Sequence, residues 1–261
     1  MNKEADGILF IATGDVHLNE AIENAEASRY FLDDQPIVLV TDQVCRAKST
    51  GVFDHVFLHP DPVGSYRDKI IPLQHIPFRR TLYLDSDARL VAPVSALFAV
   101  MGNAHLAAAH APVRVPHGWS DNNVPNLFPE LNSGVLLFRR SGLQCRLIRR
   151  WLRLYDQLFA KYGQAWDQAS LRSVVWQLIQ TRKLRLALLP PEANLRTTKP
   201  WVAGKGLAVH VVHGRVPNEE RDLLLGYLND DVDCFRTWSE WNEWYPQTSL
   251  KLRIGQKKRS P

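Results

Sequence analysis

Asp85 and Asp87 are the residues of this sequence whose types and spacing most directly suggest chemistry. They follow the hydrophobic run at residues 82–84 and are separated only by Ser86. Carboxylates spaced by one residue can present oxygen atoms to one hard divalent cation, such as Mn²⁺ or Mg²⁺. That cation can also hold two phosphate groups and neutralise the charge that develops when a bond to a nucleoside diphosphate breaks. A solvated turn after a strand produces the same pattern, so this pair alone does not establish a metal site.

The surrounding pattern predicts a mainly parallel sheet covered by helices. Short aliphatic runs alternate with longer segments of helical period, which is typical of α/β domains. We predict strands at residues 7–13, 37–41, 54–58, 81–85, 105–109, 131–138, 184–189 and 207–212. We predict helices at 18–32, 65–76 and 143–159, with a further helix that begins near Asp167. Ligands of open α/β sheets bind beyond the carboxyl ends of the strands, which is where the two aspartates lie.

The composition bounds the organisation of the chain. It has 261 residues, 45% of them hydrophobic, so we predict one domain over residues 1–229 and a C-terminal helical appendage over 230–261. Three cysteines, Cys45, Cys145 and Cys234, are too scattered for a disulfide framework or a zinc site and are interpreted as reduced core residues. The charged N-terminus and the lack of a long apolar run favour a cytoplasmic protein.

The charge of the chain points to an anionic partner without identifying it. A net charge of +5 suits nucleic acid, an anionic membrane surface or a phosphorylated substrate. Trp238, Trp241 and Trp244 recur every three residues before a basic tail. The simplest interpretation is a terminal helix that packs on the domain. The alternative is peripheral attachment to the inner face of a membrane, with tryptophans at the interface and lysines near the headgroups.

Three sequence blocks resemble, in the same order, the motifs of a known enzyme family. Residues 79–87, followed by hydrophobic pairs at 90–91 and 97–98, resemble the D-x-D block of GT-A glycosyltransferases. Residues 131–138 resemble their N-x-G-V-L-L strand, and 166–168 resemble their D-Q motif. The likeness is greatest to family-8, glycogenin- and galactosyltransferase-like enzymes and spans about residues 8–214. It implies a Rossmann-like GT-A domain that transfers a sugar from a nucleotide-diphosphate sugar, usually a UDP-sugar, to an acceptor hydroxyl.

The resemblance also implies a metal site made of two aspartates and a late histidine. Asp85 and Asp87 match the D-x-D ligands for Mn²⁺ or Mg²⁺. The family's histidine lies in an H-x-x-G-x-x-K pattern, from which this sequence departs, because its Lys-Pro-Trp segment at 199–201 precedes the histidines. We predict His213 as the third ligand, since it ends a strand that should face the site, with His210 as the alternative.

The remaining site residues follow from the same resemblance. Asp167 and Gln168 would contact the transferred sugar, and Gln168 would lie at the reacting face; with Asp87 they form the predicted catalytic set. Asp167 could equally be the N-cap of the following helix, and Asn132 an ordinary residue at a strand end. The predicted donor-binding residues are Thr13, Gly14, Asp42, Lys69, Asp85, Ser86, Asn132, Ser133, Gly134 and Arg215.

The resemblance implies a transfer that retains the anomeric configuration. We predict a front-face substitution in which the metal and Arg215 stabilise the leaving diphosphate and the donor phosphate accepts the proton of the acceptor. The acceptor would be a saccharide or a lipid-linked sugar. The loop at residues 112–129 is predicted to cover it, because this loop combines aromatic and polar residues such as His117, Trp119, Asp121 and Asn122.

Two other functions account for fewer of these residues. A sugar-phosphate nucleotidyltransferase would need a glycine-rich phosphate loop near the N-terminus, for which Thr13-Gly14-Asp15 is a poor substitute. A basic nucleic-acid-binding or scaffold protein would leave the three ordered motifs unexplained, so a nucleic-acid partner is not expected. A glycosyltransferase-like protein that binds a nucleotide-sugar without transferring it is a further alternative, given the unusual histidine pattern.

Overall fold

The computed structural model describes residues 5–112, 118–181, 183–198, 203, 207–215, 225 and 228–229. The predictions for residues 230–261, including the terminal helix and its tryptophans, lie outside these residues. The main sheet has seven strands among the described residues: β1 (Asp6–Ile11), β2 (Ile37–Thr41), β3 (His55–Leu58), β4 (Arg80–Leu84), β6 (Leu106–His110), β7 (Leu131–Arg139) and β8 (Leu186–Leu189). A smaller sheet contains β5 (Ala88–Leu90), β9 (Leu195–Arg196) and β10 (Val211–His213).

The order of the strands confirms the predicted, mainly parallel sheet. The main sheet runs β3-β2-β1-β4-β7-β6-β8, and the first four of these strands are parallel. Strand β7 is antiparallel to both of its neighbours. Because an antiparallel strand starts where its neighbour ends, the first residues of β7 lie beside the last residues of β4. The Asp85 amide accordingly donates to the Gly134 carbonyl at 2.8 Å, which joins two of the three sequence motifs.

The smaller sheet brings the late histidine to the aspartates. Strand β5 pairs antiparallel with β10, in a register that places Ala88 opposite His213. The Gly214 amide donates to the Asp87 carbonyl at 2.9 Å. The predicted strand at 207–212 is thus shorter and shifted, and its last residue is His213 itself. Strands β5 and β9 were not predicted from the sequence.

Six helices lie among the described residues: α1 (Gly14–Ser28), α2 (Val44–Ser49), α3 (Arg67–Ile70), α4 (Ser95–Met101), α5 (Gly142–Tyr162) and α6 (Gln168–Gln180). Short 3-10 helices occur at Arg29–Phe31, Pro72–His75 and Pro191–Asn194. The prediction of one helix over 65–76 was wrong, because Pro72 lacks an amide hydrogen and the segment divides into α3 and a 3-10 helix. Helix α5 begins where Ser141 accepts the Gln144 amide at 3.1 Å, and it ends at Gly163 with a φ of 64°.

The helices cover both faces of the main sheet. Alternate residues of β1 point to opposite faces, so Ile8 and Phe10 pack with residues of α1, α2 and α4, whereas Leu9 packs with residues of α3, α5 and α6. The prediction of core cysteines was wrong for Cys45, which is exposed, and for Cys145, which is only partly buried; Cys234 lies outside the described residues. Among the described helices, none has the length and apolar character needed to cross a bilayer.

Candidate active site

Asp85, Asp87 and His213 converge at the carboxyl edge of the sheet. The His213 Nε2 atom lies 3.3 Å from Asp87 Oδ1 and 3.7 Å from Asp85 Oδ2. One ligand atom from each of the three side chains lies within 4.8 Å of the others. His210 instead places Nδ1 against the Pro93 carbonyl at 3.2 Å, so the geometry groups His213 rather than His210 with the aspartates.

The three side chains form an acceptor-rich cluster that fits a divalent cation. Burial raises the pKa of Asp87, whereas the charges of Arg196 and Arg215 lower it. Burial lowers the pKa of His213, which favours the neutral imidazole that metals require. Gly134 leaves room for the cluster, because an added Cβ would lie 2.7 Å from His213 Nε2 and overlap Asp85 Oδ2. Carboxylate oxygens and imidazole nitrogen are ligands that Mn²⁺ accepts.

Lys69 links the metal candidates to the D-Q motif. Its buried Nζ lies 3.3 Å from Asp85 Oδ1 and 3.1 Å from Asp167 Oδ2, and it donates to Ser133 Oγ at 3.0 Å. Burial alone would lower the pKa of Lys69, but the carboxylates of Asp167 and Asp85 raise it above its ordinary value. The ammonium group therefore stays charged and ties Asp85 to Asp167. Tyr83 also holds Asp85, since its hydroxyl donates to the same Oδ1 atom at 2.5 Å.

Asp167 and Gln168 lie side by side at the start of α6. Asp167 precedes the helix, but its side chain makes no capping hydrogen bond; it accepts from Ser133 Oγ at 3.1 Å. Gln168 is fixed at both ends of its amide. Its Oε1 accepts from the Ser133 amide at 3.2 Å, and its Nε2 donates to Glu130 Oε1 at 2.9 Å.

Two adjacent cavities meet at this cluster. The larger cavity, of about 640 Å³, extends from Thr13 past the aspartates to Tyr155. The smaller cavity, of about 170 Å³, is lined by Asn132, Gln168 and Glu130. Both cavities share the lining residues Tyr66, Lys69, Asp85, Trp166, Arg196 and His213. A separate apolar cavity of about 400 Å³ lies under β1 to β3 and is lined by no carboxylate, so we place the chemistry at the two adjacent cavities.

Comparison with solved structures identifies the fold. The chain matches mouse xyloside xylosyltransferase 1 over 81% of its own length and 98% of that chain, with a TM-score of 0.51 and 15% identity. It also matches the galactosyltransferase LgtC, solved with donor and acceptor sugar analogues. That match covers 86% of this chain and 96% of LgtC, with a TM-score of 0.51 and 14% identity. A third match, to the Streptococcus pneumoniae glycosyltransferase GlyE, covers 96% of this chain and 62% of GlyE, with a TM-score of 0.57 and 15% identity.

This chain has the GT-A glycosyltransferase fold. No protein-family model matches the sequence, and no curated protein matches it in a sequence search. At the identities above, the structural matches establish the fold, while the activity depends on the site itself. The GT-A architecture accounts for the position of the acidic cluster at the carboxyl edge of the parallel strands.

Three further predicted donor residues, Asp42, Ser86 and Arg215, also have protein partners in this GT-A domain. Asp42 Oδ1 accepts the Gly14 amide at 3.0 Å, so Asp42 holds the start of α1, whereas Thr13 lines the larger cavity. Ser86 Oγ donates to Glu20 Oε2 at 2.9 Å. Arg215 also pairs with Glu20, through Nη2 and Oε2 at 3.1 Å, at the wall of the larger cavity.

The structure adds site residues that the sequence pattern did not reveal. Arg196 ends β9 in register with His213 and lines both cavities. Its guanidinium forms no hydrogen bond or ion pair with the residues that the structure describes. Tyr66 and Trp166 form an aromatic pair, with ring centroids 5.8 Å apart, at the junction of the cavities.

The described part of the loop before β7, residues 118–129, is anchored to α6. The buried Arg172 side chain donates to the carbonyls of Phe128 and Pro125, each at 2.8 Å. The predicted acceptor cover at 112–129 is thus held in its second half by a residue that the sequence pattern did not single out. His117, a predicted member of this cover, lies outside the described residues.

Glu130 is a carboxyl group whose burial predicts a measurable pH effect. Burial, with Asp167 acting in the same direction, raises the pKa of Glu130 from 4.5 to about 7. The folded state therefore favours the protonated form, and stability is lost as pH rises from about 4.5 to 7. We expect Glu130→Gln to remove this loss and to be more stable than wild type by about 2–3 kcal/mol at pH above 7, but not near pH 4.

Urea unfolding of both proteins at mildly acidic and mildly alkaline pH measures this difference. Glu26→Gln, at an exposed position of α1, is the matched control: it keeps Glu130, so its stability should change with pH as that of wild type does. Equal changes in stability with pH for wild type and Glu130→Gln would contradict the expectation.

Proposed function

We propose that this protein is a metal-dependent glycosyltransferase that moves a sugar, most simply a hexosyl unit, from a nucleotide-diphosphate sugar to an acceptor hydroxyl. The observation that carries the proposal is the convergence of Asp85, Asp87 and His213 at the junction of two cavities in a GT-A fold. The D-x-D, N-x-G and D-Q motifs all contribute to this one site. A scaffold protein would not require that arrangement.

The larger cavity is the proposed donor site. Asp85, Asp87 and His213 would hold Mn²⁺ or Mg²⁺, whose chemistry is to neutralise the leaving diphosphate. Arg196 is the half-buried cation best placed to contact the same anion, because it lines both cavities and its charge acts on Asp87 and His213. Arg215 could join it only by sharing or releasing Glu20. The preference for UDP rests on the sequence resemblance alone.

The smaller cavity is the proposed site of the transferred sugar. Gln168 reaches this cavity with its amide held by Ser133 and Glu130, so its orientation is set before any ligand binds. Asp167 is enclosed by Lys69 and Ser133, and we assign it a positioning role that acts through these two residues. The backbone near Gly134 can approach a ligand closely.

The proposed transfer retains the anomeric configuration. Asp167 is the candidate nucleophile of the D-Q motif, but its carboxylate already contacts Lys69 and Ser133. Front-face substitution, in which the donor phosphate accepts the acceptor's proton, requires no enzyme nucleophile. A saccharide or lipid-linked acceptor, and a contact of residues 230–261 with the inner face of a membrane, are proposals that rest on the sequence.

Thermal unfolding with and without manganese tests the donor site. The ligands are a panel of nucleoside diphosphates and their sugar conjugates. We expect one nucleotide series to raise the melting temperature only with manganese, because a ligand that binds the folded state stabilises it by mass action. Asp87→Asn should abolish this shift, whereas Asp34→Asn, the same substitution at an exposed position outside the site, should retain it.

Two outcomes would contradict the proposal. Absence of any nucleotide shift at saturating ligand would remove the donor site. A shift with nucleoside triphosphates and sugar phosphates, but not with diphosphate sugars, would indicate a nucleotidyltransferase. For a nucleotide-sugar that binds and reacts, proton NMR of the product should show a retained anomer.

A further inference from the structure

A chain of buried amides lies behind His213, next to the ring nitrogen that does not face the aspartates. His213 Nδ1 lies 2.9 Å from Asn194 Oδ1. Asn194 Nδ2 lies 2.8 Å from Asn132 Oδ1, and that same oxygen lies 3.0 Å from the Gly134 amide nitrogen. Asn194 is 4% exposed and Asn132 is 6% exposed, so these polar groups depend on one another for hydrogen bonds.

The positions of the hydrogen atoms in this series of hydrogen bonds follow from one unambiguous donor. The backbone amide of Gly134 can only donate, so the Asn132 atom that faces it is the carbonyl oxygen. The other group that faces this Asn132 oxygen is the Asn194 side-chain amide. An oxygen can only accept there, so Asn194 turns its NH₂ group toward Asn132. The other end of the Asn194 amide is then an oxygen, and it must accept a hydrogen from His213 Nδ1.

This order of hydrogens has a direct consequence at the aspartates. A neutral imidazole carries one ring hydrogen, and here it resides on Nδ1. The Nε2 atom therefore presents a lone pair toward Asp87 Oδ1 at 3.3 Å and Asp85 Oδ2 at 3.7 Å. Three acceptors converge without a hydrogen between them, which is an arrangement that a cation stabilises.

We propose that Asn194 is a positioning residue that selects the Nδ1–H tautomer of His213 and so makes Nε2 available as a metal ligand. Asn132 and the Gly134 amide fix the orientation of Asn194. The metal-binding part of this inference rests on the proposed function, but the tautomer is a property of the protein alone. Asn132 thereby has a role besides the predicted contact with the donor sugar: its oxygen is occupied by two protein donors.

A purely structural role for Asn194 would have different consequences. Asn194 ends the 3-10 helix Pro191–Asn194 just before β9, so its bonds also join this segment to β7 and β10. If they served only to hold the smaller sheet, removing them would lower stability without changing the tautomer of His213 or the metal affinity of the folded protein. The experiment must therefore read the tautomer and the affinity separately from stability.

Long-range ¹H–¹⁵N correlation of ring nitrogens in histidine-labelled, metal-free protein at mildly alkaline pH reads the tautomer. His213→Asn identifies the His213 signals among those of the nine histidines. We expect the Nδ1–H tautomer in wild type and in Asn194→Asp, which keeps an acceptor for Nδ1. We expect Asn194→Ala to lose this preference. The Nε2–H tautomer in wild type would overturn the proposal.

Titration with Mn²⁺, followed by electron paramagnetic resonance, measures the effect on the metal. Loss of the group that orients a metal-binding histidine weakens metal affinity by about 10- to 100-fold, and we expect this of Asn194→Ala. Asn229→Ala is the matched control, because Asn229 accepts the Val209 amide at 2.8 Å and supports the same sheet without contacting His213. Its affinity should match wild type within about twofold.

The two readouts separate this inference from the proposed function. If wild type shows the Nδ1–H tautomer and Asn194→Ala loses it, Asn194 selects the tautomer even where Mn²⁺ fails to bind, and only the glycosyltransferase proposal fails. If Asn194→Ala keeps both the tautomer and the wild-type affinity, the assignment of Asn194 is overturned.

Discussion

Lys69→Met is expected to lower the free energy of unfolding by about 3–5 kcal/mol, since removing one partner of a buried ion pair leaves an uncompensated charge. Lys69 stands between Asp85 and Asp167, and the Asp167 side chain is 1% exposed. Methionine fills most of the space of the lysine stem but cannot neutralise either carboxylate. Urea unfolding followed by circular dichroism at neutral pH measures the loss.

A second substitution distinguishes the loss of charge balance from a packing defect. Lys69→Met combined with Asp167→Asn removes the more buried of the two unpaired carboxylates, so we expect it to recover at least half of the lost stability. Arg67→Met, two residues away, is the matched control: its ion pair with Asp156 is about two-fifths exposed and should contribute less than about 1 kcal/mol. A loss for Lys69→Met no greater than for Arg67→Met would refute the role assigned to Lys69.

The sequence predicted those parts of the site that coincide with the ends of long, regular strands. Asp85 follows β4, and Asn132, Ser133 and Gly134 belong to the start of β7, both of which are hydrophobic runs long enough to recognise. The antiparallel pairing of these strands then brings the two motifs together. Strand ends along the chain were predicted to within a few residues for the same reason.

The remaining parts depend on contacts that no local pattern encodes. Strand β9 has two residues, too few for any periodicity, so the position of Arg196 beside His213 could not be predicted. The pairing of Arg215 with Glu20 joins residues 195 positions apart. The raised pKa of Glu130 arises from burial next to Asp167, which only the folded arrangement shows.

Gly134→Ala is expected to remove metal binding while leaving most of the fold intact. An added Cβ would overlap the imidazole of His213 and the Oδ2 atom of Asp85, and it would lie 2.7 Å from His213 Nε2. These are side-chain atoms, so the protein can relieve the overlap by moving the ligands, and the cost falls on the metal site rather than on the sheet. We expect Mn²⁺ affinity and the rate of sugar transfer each to fall by about 100-fold or more, because displacements of about 1 Å have effects of that size.

The stability of the same variant locates the defect. Overpacking in a tight site costs about 1–3 kcal/mol, so Gly134→Ala should still unfold cooperatively, with its manganese-dependent nucleotide shift abolished. Gly142→Ala is the matched control, because a Cβ at the start of α5 meets no atom within 4 Å, and its metal affinity should equal that of wild type. Wild-type affinity in Gly134→Ala would mean that His213 and Asp85 do not bind the metal together, since both cannot keep their positions beside an alanine methyl group.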